Sequence, residues 1–509
     1  MPRYTVPVLP YSSPLRLLLP RLGIALALAP FLLLCAFNQP FFDDFRNGTW
    51  MREHGTWGVQ VWLFQTWTGR FTTTFLMTVL NPVAYGWLGG VKATSAVLLL
   101  SLWASLAHLL RALRWPPLGF SCTRAEALWA AGLLLGLFCN AAPALFSFLY
   151  WFAGTLVYQL TLIGLLNFTA LALRVGWGAA AGRRRAASWA VLPLVLALTG
   201  NELTLVQALP VLALLAVALP RAARPALLGW LLIGALATAV AATAPGNWAR
   251  AAAMAPPSDP YHDYRWLVLL PRSVLSMAVF LIRPLNGLSI AAAAAVGWWA
   301  GRRARMTSPA PRPLARWQWL ALLLAYAALN FLGFLLFRYL VVGAPLMRAQ
   351  NEMLLVLLGS TAGLGWMAGR HWGRATTAWA AAPPPPLFAK YRLARELLLL
   401  LPLLGLFAAG HVPEAWRELA TSAAPFDAQM QARFAALRAA HRAGTRRLTL
   451  PPLRLPYGRV LIPLRQFSSD IEFDIDLTTG CEGNINGVME NYFQVPEVCC
   501  DPAATLRED

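Results

Sequence analysis

The chain has 509 residues, of which 58% are hydrophobic and 13% charged, and its mean hydropathy is +0.54. Soluble domains carry about 25% charged residues, so this composition excludes a soluble globular protein. Apolar stretches recur along the chain at lengths of about twenty residues, which predicts a polytopic α-helical membrane protein. A transmembrane β-barrel is excluded because its strands alternate polar and apolar residues.

The charge distribution predicts how the chain is oriented in the membrane. The net charge is +20, from 42 basic and 22 acidic residues, but the Arg residues cluster in short segments between apolar runs rather than in a nucleic-acid-binding patch. Such clusters are typical of cytoplasmic loops, and they include Arg183 to Arg185, Arg302, Arg303, Arg305, Arg312, Arg316, Arg370 and Arg374. Seven acids away from these clusters fall on the other side or close to it: Asp43, Asp44, Glu53, Glu202, Asp259, Asp263 and Glu352. We therefore expect a cytoplasmic amino terminus and an extracytoplasmic carboxy terminus.

The predicted elements begin with a membrane span that starts near Leu17 and ends at about residue 37. The segment 39–92 is then external, and its many Trp and Phe residues predict interfacial helices. Ten more spans are predicted, which gives about eleven: 93–113, 126–140, 155–174, 187–200, 203–219, 226–244, 285–300, 317–341, 350–369 and 392–410. The apolar segment 266–283 is either a further span or a re-entrant helix.

The composition changes after the membrane domain, which we place at 1–411. Residues 412–509 predict a small extracytoplasmic α+β domain, with an amphipathic helix at 426–442 and short strands at RLTL, RVLIPL and IEFDIDL. An extracytoplasmic location is oxidising. A disulfide from Cys481 to either Cys499 or Cys500 is therefore expected.

The strongest local signal is FNQPFFDDFRNGTW at 37–50, in which Asp43 and Asp44 follow the first span by about six residues. Carboxylates near lipid are costly to desolvate, so the presence of this acidic pair indicates a specific role. Either acid could act as a general base, or the two could bind a divalent metal such as Mg²⁺ or Mn²⁺. The alternative is a solvated loop pair that flanks a helix cap.

Several external segments carry Arg against the usual charge trend: WTGRF (67–71), APGNWAR (244–250), YHDYR (261–265) and APLMRAQNE (344–352). Guanidinium groups pair bidentately with phosphate or carboxylate, so these Arg predict an anion site near the membrane. Each could instead contact a lipid headgroup or form a salt bridge. Glu202 lies between two apolar runs, and it is either a site residue or the partner of one of these Arg.

These motifs together resemble the GT-C superfamily of integral-membrane glycosyltransferases, and in particular its bacterial GtrII-like and uncharacterised members. The likeness rests on FFDDF after the first span, WTGRF, the NE pair between spans, APGNWAR and the tail segment DIDLTTGCEGNINGVMENYFQV. It extends over most of the chain. The tail departs from the family pattern, because it lacks the Trp that often precedes the Asn and has Tyr-Phe where Tyr-Tyr is common.

The resemblance implies transfer of a sugar from a polyprenyl-phosphate donor to an acceptor hydroxyl on a glycan, lipid or protein, at the outer face of the bacterial cytoplasmic membrane. It implies that an acid of the first external loop, here Asp43 or Asp44, is the base or a metal-assisted base. We expect an inverting transfer, because one base and one phosphate site suffice for it, and no nucleic acid as a partner. Candidate donor-phosphate ligands are Arg46, Arg70, Arg250 and Arg348. Candidate residues that orient the acceptor or sugar are Glu202, Asn247, His262 and Asp263.

Three other functions remain open. A transporter or flippase for a lipid-linked or anionic substrate would place ionisable groups near the bilayer midplane and would usually show inverted repeats. A polymerase or ligase of lipid-linked glycans would use external Arg without needing the acidic pair. A non-catalytic scaffold would leave the externally clustered acids unexplained.

Overall fold

The structure is a computed structural model that describes residues 14–113, 122–178, 182–254, 265–307, 314–341, 345–371, 403–467, 472 and 474–503. Its helices are α1 (Pro14–Leu34), α2 (Asp43–Thr66), α3 (Phe71–Val79), α4 (Gly90–Ala112), α5 (Arg124–Ala141), α6 (Leu145–Leu149), α7 (Phe152–Trp177), α8 (Arg183–Trp189), α9 (Val191–Thr199), α10 (Glu202–Ala218), α11 (Arg224–Ala242), α12 (Pro245–Met254), α13 (Arg265–Ile282), α14 (Pro284–Thr307), α15 (Arg316–Val341), α16 (Met347–His371), α17 (His411–Thr421), α18 (Ala423–Arg442) and α19 (Asn484–Phe493).

Six helices in the described ranges are long and apolar enough to cross a membrane: Leu18–Phe37, Gly90–Ala112, Phe152–Trp177, Arg221–Ala242, Arg316–Tyr339 and Met347–His371. A seventh span is possible where α13 and α14 meet at 79°. The all-α polytopic membrane fold is therefore supported, whereas the count of eleven spans is not reproduced. The predicted span 126–140 lies in α5, 187–200 is divided between α8 and α9, and 203–219 lies in the shorter α10, but none of these helices is among the six. Most of 392–410 lies outside the described residues.

The segment 39–92 contains the helices α2 and α3, as its aromatic composition predicted. Gly55 interrupts α2 with a φ of 67°, a left-handed conformation that favours glycine. Large aromatic side chains on this segment stay exposed, with Trp57 at 73% and Trp87 at 63%. Exposed Trp rings suit the polar boundary of a bilayer.

Helices α14 and α16 pack unusually closely, through two glycines on each helix spaced four residues apart. A Cβ at Gly297 would lie 2.1 Å from the Ala362 carbonyl oxygen, and a Cβ at Gly369 would lie 2.2 Å from the Trp298 carbonyl oxygen. Small residues at this spacing let membrane helices approach until their backbones touch. This pair fixes the position of α16, which carries Arg348.

The tail contains α17 to α19 and a parallel pair of strands, β1 (Arg447–Leu450) and β2 (Glu497–Cys500). The predicted helix 426–442 lies within α18, and RLTL forms β1. The predicted strands RVLIPL and IEFDIDL are not strands in their described residues. The buried Glu418 carboxylate accepts the backbone N–H groups of 460–462 at 2.8–3.0 Å, so these groups bind a side chain instead of a neighbouring strand. The disulfide joins Cys481 to Cys499, one of the two pairings expected.

The tail shares a hydrophobic core with the first part of the chain. The Phe45 ring lies 4.9 Å from the Tyr492 ring, and the Tyr492 hydroxyl donates to the Val83 carbonyl at 2.8 Å. Lys92 at the start of α4 pairs with Asp427 in α18 at 2.5 Å. The tail therefore packs directly on the region that holds Asp43 and Asp44.

Candidate functional site

The two Arg-bearing motifs WTGRF and APGNWAR touch through their backbones. The Gly69 N–H donates to Asn247 Oδ1 at 2.9 Å, and Asn247 Nδ2 donates to the Ala241 carbonyl at 2.8 Å. A Cβ at Gly246 would lie 2.4 Å from the Trp67 nitrogen. Asn247, expected to orient a substrate, instead uses its amide to position the segment that carries Arg70.

Glu202 pairs with both of the arginines that these motifs carry. Its Oε2 accepts from Arg70 Nε at 2.7 Å, and its Oε1 lies 3.1 Å from Arg250 Nη2. Asn201 caps α10 by accepting the Leu203 N–H at 3.1 Å, which fixes Glu202 in the first turn. The structure thus favours the ion-pair alternative for Glu202, with two arginines rather than one.

Asp44 is completely buried, and the backbone occupies both of its carboxylate oxygens. Oδ2 accepts the Phe41 N–H at 2.9 Å, and Oδ1 accepts the Ala153 N–H at 3.0 Å. Burial raises the pKa of Asp44 to about 8, although these hydrogen bonds oppose the change. Asp44 therefore joins the start of α2 to α7, and its complete burial separates it from any substrate.

Asp43 has a different environment, with 29% of its side chain exposed. Its Oδ1 lies 3.4 Å from Arg46 Nη1, and its charge interacts with Arg348. Burial raises the pKa of Asp43 above its ordinary value, against the opposing effect of these two arginines. The preceding residue, Phe42, has a φ of 21°, and backbone strain of this kind concentrates at functional sites.

Arg348 connects Asp43 to the other arginines. Its Nη1 lies 3.1 Å from Glu472 Oε1, and its guanidinium carbon lies 5.8 Å from the centre of the Trp151 ring. The buried Tyr158 phenol lies beside Arg348 and interacts electrostatically with Arg70. Tyr158 lies in an apolar run that carries no signal of a site, and Glu472 lies in a segment predicted to be a strand.

We call this set of residues the acid–arginine cluster: Asp43, Arg46, Arg70, Tyr158, Glu202, Arg250, Arg348 and Glu472. Its four arginines outnumber its three carboxylates, so the cluster has a positive charge in excess when all are ionised. The structure thus brings together five of the predicted site residues that belong to separate segments: Asp43, Arg70, Glu202, Arg250 and Arg348. An excess of guanidinium groups in a partly buried location favours an anionic ligand.

A divalent metal does not fit the acidic pair. Asp44 is completely buried and hydrogen-bonded to backbone N–H groups, and Asp43 lies beside the Arg46 guanidinium, so only one carboxylate is accessible to a cation. Among the described residues, the metal-like grouping is Cys481, Glu497 and Cys499, and the disulfide uses both of its thiols. His262 and Asp263 lie outside the described residues.

A cavity of 400 Å³, which we call the tail cavity, adjoins the acid–arginine cluster. Its walls come from the segments 141–147 and 283–286 and from Gly410, His411 and Glu414 at the junction with the tail, together with Arg459 and Glu472. Glu472 belongs to both the cavity and the cluster. Asp43, Arg70 and Arg250 do not line the cavity, so the two sites are neighbours rather than one space.

Comparison with known proteins gives no family for the chain. No protein-family model matches it, and neither a curated protein nor a solved structure does. The function is therefore inferred from the site residues and their geometry.

Proposed function

We propose that the protein is a membrane glycosyltransferase of the GT-C type that transfers a sugar from a polyprenyl-phosphate donor to an acceptor hydroxyl. The observation that carries the proposal is the convergence of Asp43 with Arg348, Arg70 and Arg250 in one cluster. A carboxylate beside several guanidinium groups supplies a base and a phosphate ligand together. Asp43, Arg70 and Arg250 come from motifs on which the family resemblance rests: FFDDF, WTGRF and APGNWAR.

The proposed step uses Asp43 as the base. Its carboxylate takes the proton of the acceptor hydroxyl while the oxygen forms a bond to the anomeric carbon of the sugar. The bond from that carbon to the phosphate oxygen breaks, and polyprenyl phosphate leaves with the electron pair. Arg348, Arg70 and Arg250 would stabilise the charge on this leaving group. Attack opposite to the leaving group inverts the anomeric carbon, and the proton on Asp43 passes to water.

The surroundings of this step are part of the proposal. We assign about eleven spans, with the amino terminus cytoplasmic and the cluster and the tail extracytoplasmic, in a bacterial cytoplasmic membrane. The acceptor is a glycan, lipid or protein of the cell envelope. The Arg clusters between apolar runs, which are typical of cytoplasmic loops, support this orientation.

A transporter or flippase for a lipid-linked or anionic substrate is the second candidate, and Glu352 favours it. Glu352 lies one turn after Arg348 in α16 and is completely buried, and it accepts hydrogen bonds from Thr204 at 2.7 Å and Asn201 at 3.2 Å. An ionisable residue inside a span commonly marks a transport pathway. The position of Glu352 in the second turn of α16, rather than near its middle, favours a site that opens to one face.

Substitution of Asp43 separates the two candidates. Membranes that contain Asp43→Asn should release undecaprenyl phosphate from undecaprenyl-phosphate sugars about 10²–10⁴-fold more slowly than wild type, the usual contribution of a general base. The exposed Asp501→Asn is the matched control. Full release by Asp43→Asn would refute the base assignment. Movement of the intact lipid-linked sugar across the membrane without release would favour the transporter.

A further inference from the structure

The tail cavity has features of a second ligand site that the proposed donor site does not explain. Its volume of 400 Å³ falls within the range of about 300–1,000 Å³ that is common for small-ligand sites. Its walls are largely apolar, with Leu145, Phe146, Leu285 and Met347 among them. Charged side chains also line the cavity, between these apolar groups.

Hydrogen bonds hold the cavity walls in place. Asn351 binds both the N–H and the carbonyl of Ala144, at 3.0 and 2.6 Å. On the tail side, the Val412 N–H donates to Asn140 Oδ1 at 2.9 Å, and His411 Nε2 lies 2.8 Å from the Ala142 carbonyl oxygen. The cavity is therefore preformed, which lowers the cost of binding a ligand.

Arg283 is the cation in this cavity that lacks an acidic partner. It donates to Gln350 Oε1 at 3.0 Å, and no carboxylate among the described residues lies within 4.0 Å of it. Arg459, in contrast, pairs with Glu414. A half-buried guanidinium without a carboxylate, on the wall of a preformed cavity, is suited to an anionic group.

The helix that precedes Arg283 offers a path from lipid to the cavity. Helix α13 ends at Ile282, directly before Arg283, and its outward apolar side chains include Leu267 at 75%, Leu275 at 61% and Ile282 at 76% exposure. Exposed apolar side chains on a membrane helix face lipid. An apolar chain lying along α13 would therefore bring an attached phosphate to Arg283.

We infer that the tail cavity binds the acceptor, and that this acceptor is itself an amphipathic lipid with a phosphate group. The phosphate contacts Arg283, the apolar chain lies along α13, and the head group fills the cavity. Its hydroxyl approaches Asp43 past Glu472, the residue that the cavity and the cluster share. The inference rests on the proposed function for the role as acceptor, but not for the binding itself.

The binding is tested on the full chain in nanodiscs of zwitterionic lipid, with a thiol introduced as Leu285→Cys, two residues after Arg283. The probe is undecaprenyl phosphate, and the readout is the rate at which an anionic thiosulfonate modifies the new thiol, corrected for the parent chain. We expect the probe to slow modification at least about tenfold. Added Arg283→Gln should weaken this protection about tenfold, Arg283→Lys should restore most of it, and the exposed Arg316→Gln should leave it unchanged.

Any of four results would overturn the inference, of which the first three are no protection by the probe, equal protection in the Arg283→Gln background, and equal protection by inorganic phosphate, which would indicate a site for the free anion. Equal protection by phosphatidylglycerol would indicate a structural phospholipid and would also overturn it. Failure of the proposed function is distinguishable, because Asp43→Asn would then retain activity while the protection at Leu285→Cys persists.

Discussion

Replacing Gly246 by alanine should disrupt the contact that assembles the acid–arginine cluster. The new Cβ would lie 2.4 Å from the Trp67 nitrogen, 2.6 Å from the Thr68 nitrogen and 2.8 Å from the Leu63 carbonyl oxygen. Ordinary van der Waals contact begins at 3.4 Å, so the two backbones must separate by about 1 Å. Backbone atoms cannot rotate away as a side chain can, and the moving segment carries Arg70.

We expect Gly246→Ala to lower the free energy of unfolding by about 1–3 kcal/mol, the usual cost of overpacking. The matched control is Gly229→Ala, also in a helix, where a new Cβ meets nothing within 4 Å. Because alanine favours helix more than glycine does, this control should be neutral or more stable by about 0.5–1 kcal/mol.

The assay is thermal unfolding of the detergent-purified full chain, followed by intrinsic tryptophan fluorescence, together with release of undecaprenyl phosphate by each variant. Gly246→Ala should unfold at a lower temperature than Gly229→Ala and should lose activity more than the loss of folded protein explains. If the two variants unfold at the same temperature and are equally active, the close contact between 67–69 and 245–247 does not exist, and the assembly of the cluster described above is wrong.

Four further outcomes are expected. The pH profile of activity should fall as the pH drops through the pKa of Asp43, above the ordinary aspartate range, because burial raises this pKa and the base must be ionised; a profile that is flat down to pH 4 would contradict the assignment. The pKa of Asp44 is about 8 in the folded state and about 3.9 in the unfolded state, so the folded state binds a proton more tightly. The stability of the wild type should therefore decline as the pH rises between these two values. Asp44→Asn should lack this pH-dependent contribution in the same unfolding assay. Glu202→Gln should lower both thermal stability and activity, since two arginines lose their charged partner; an unchanged variant would show that the ion pairs contribute nothing. Cys481→Ser should cost about 3 kcal/mol by opening the 18-residue separation to Cys499, and reductant should destabilise wild type but not this variant.

Hydropathy and charge predicted the features of this chain that depend on local sequence. The first span, the helices in 39–92 and the amphipathic helix at 426–442 each follow from the pattern of apolar residues over one or two dozen positions. Arg residues in four separate motifs predicted an anion site, and three of these motifs, WTGRF, APGNWAR and APLMRAQNE, supply arginines to the cluster. These patterns follow directly from how apolar and polar side chains partition between lipid and water, so no contact between residues far apart in the sequence is needed to predict them.

The remaining features depend on contacts between distant residues. Asp43 and Asp44 are adjacent in the sequence but have different roles. The difference arises because Asp44 accepts a hydrogen bond from the backbone N–H of Ala153, which is 109 residues away along the chain. Tyr158 is indistinguishable from a core aromatic until Arg348 is placed beside it. Residues 460–462 have the composition of a strand, but the Glu418 carboxylate takes their N–H groups.

The most direct test of the central claim is the position of a bound phosphate. A cryo-EM map of the full chain in nanodiscs with added undecaprenyl phosphate should show phosphate density in contact with Arg348 and Arg70, on the side that Asp43 faces. The same map from Asp43→Asn should retain this density, since the base is not a phosphate ligand. Phosphate density at Arg283 or elsewhere with none at the acid–arginine cluster, and with the cluster unchanged by the lipid, would contradict the proposed donor site.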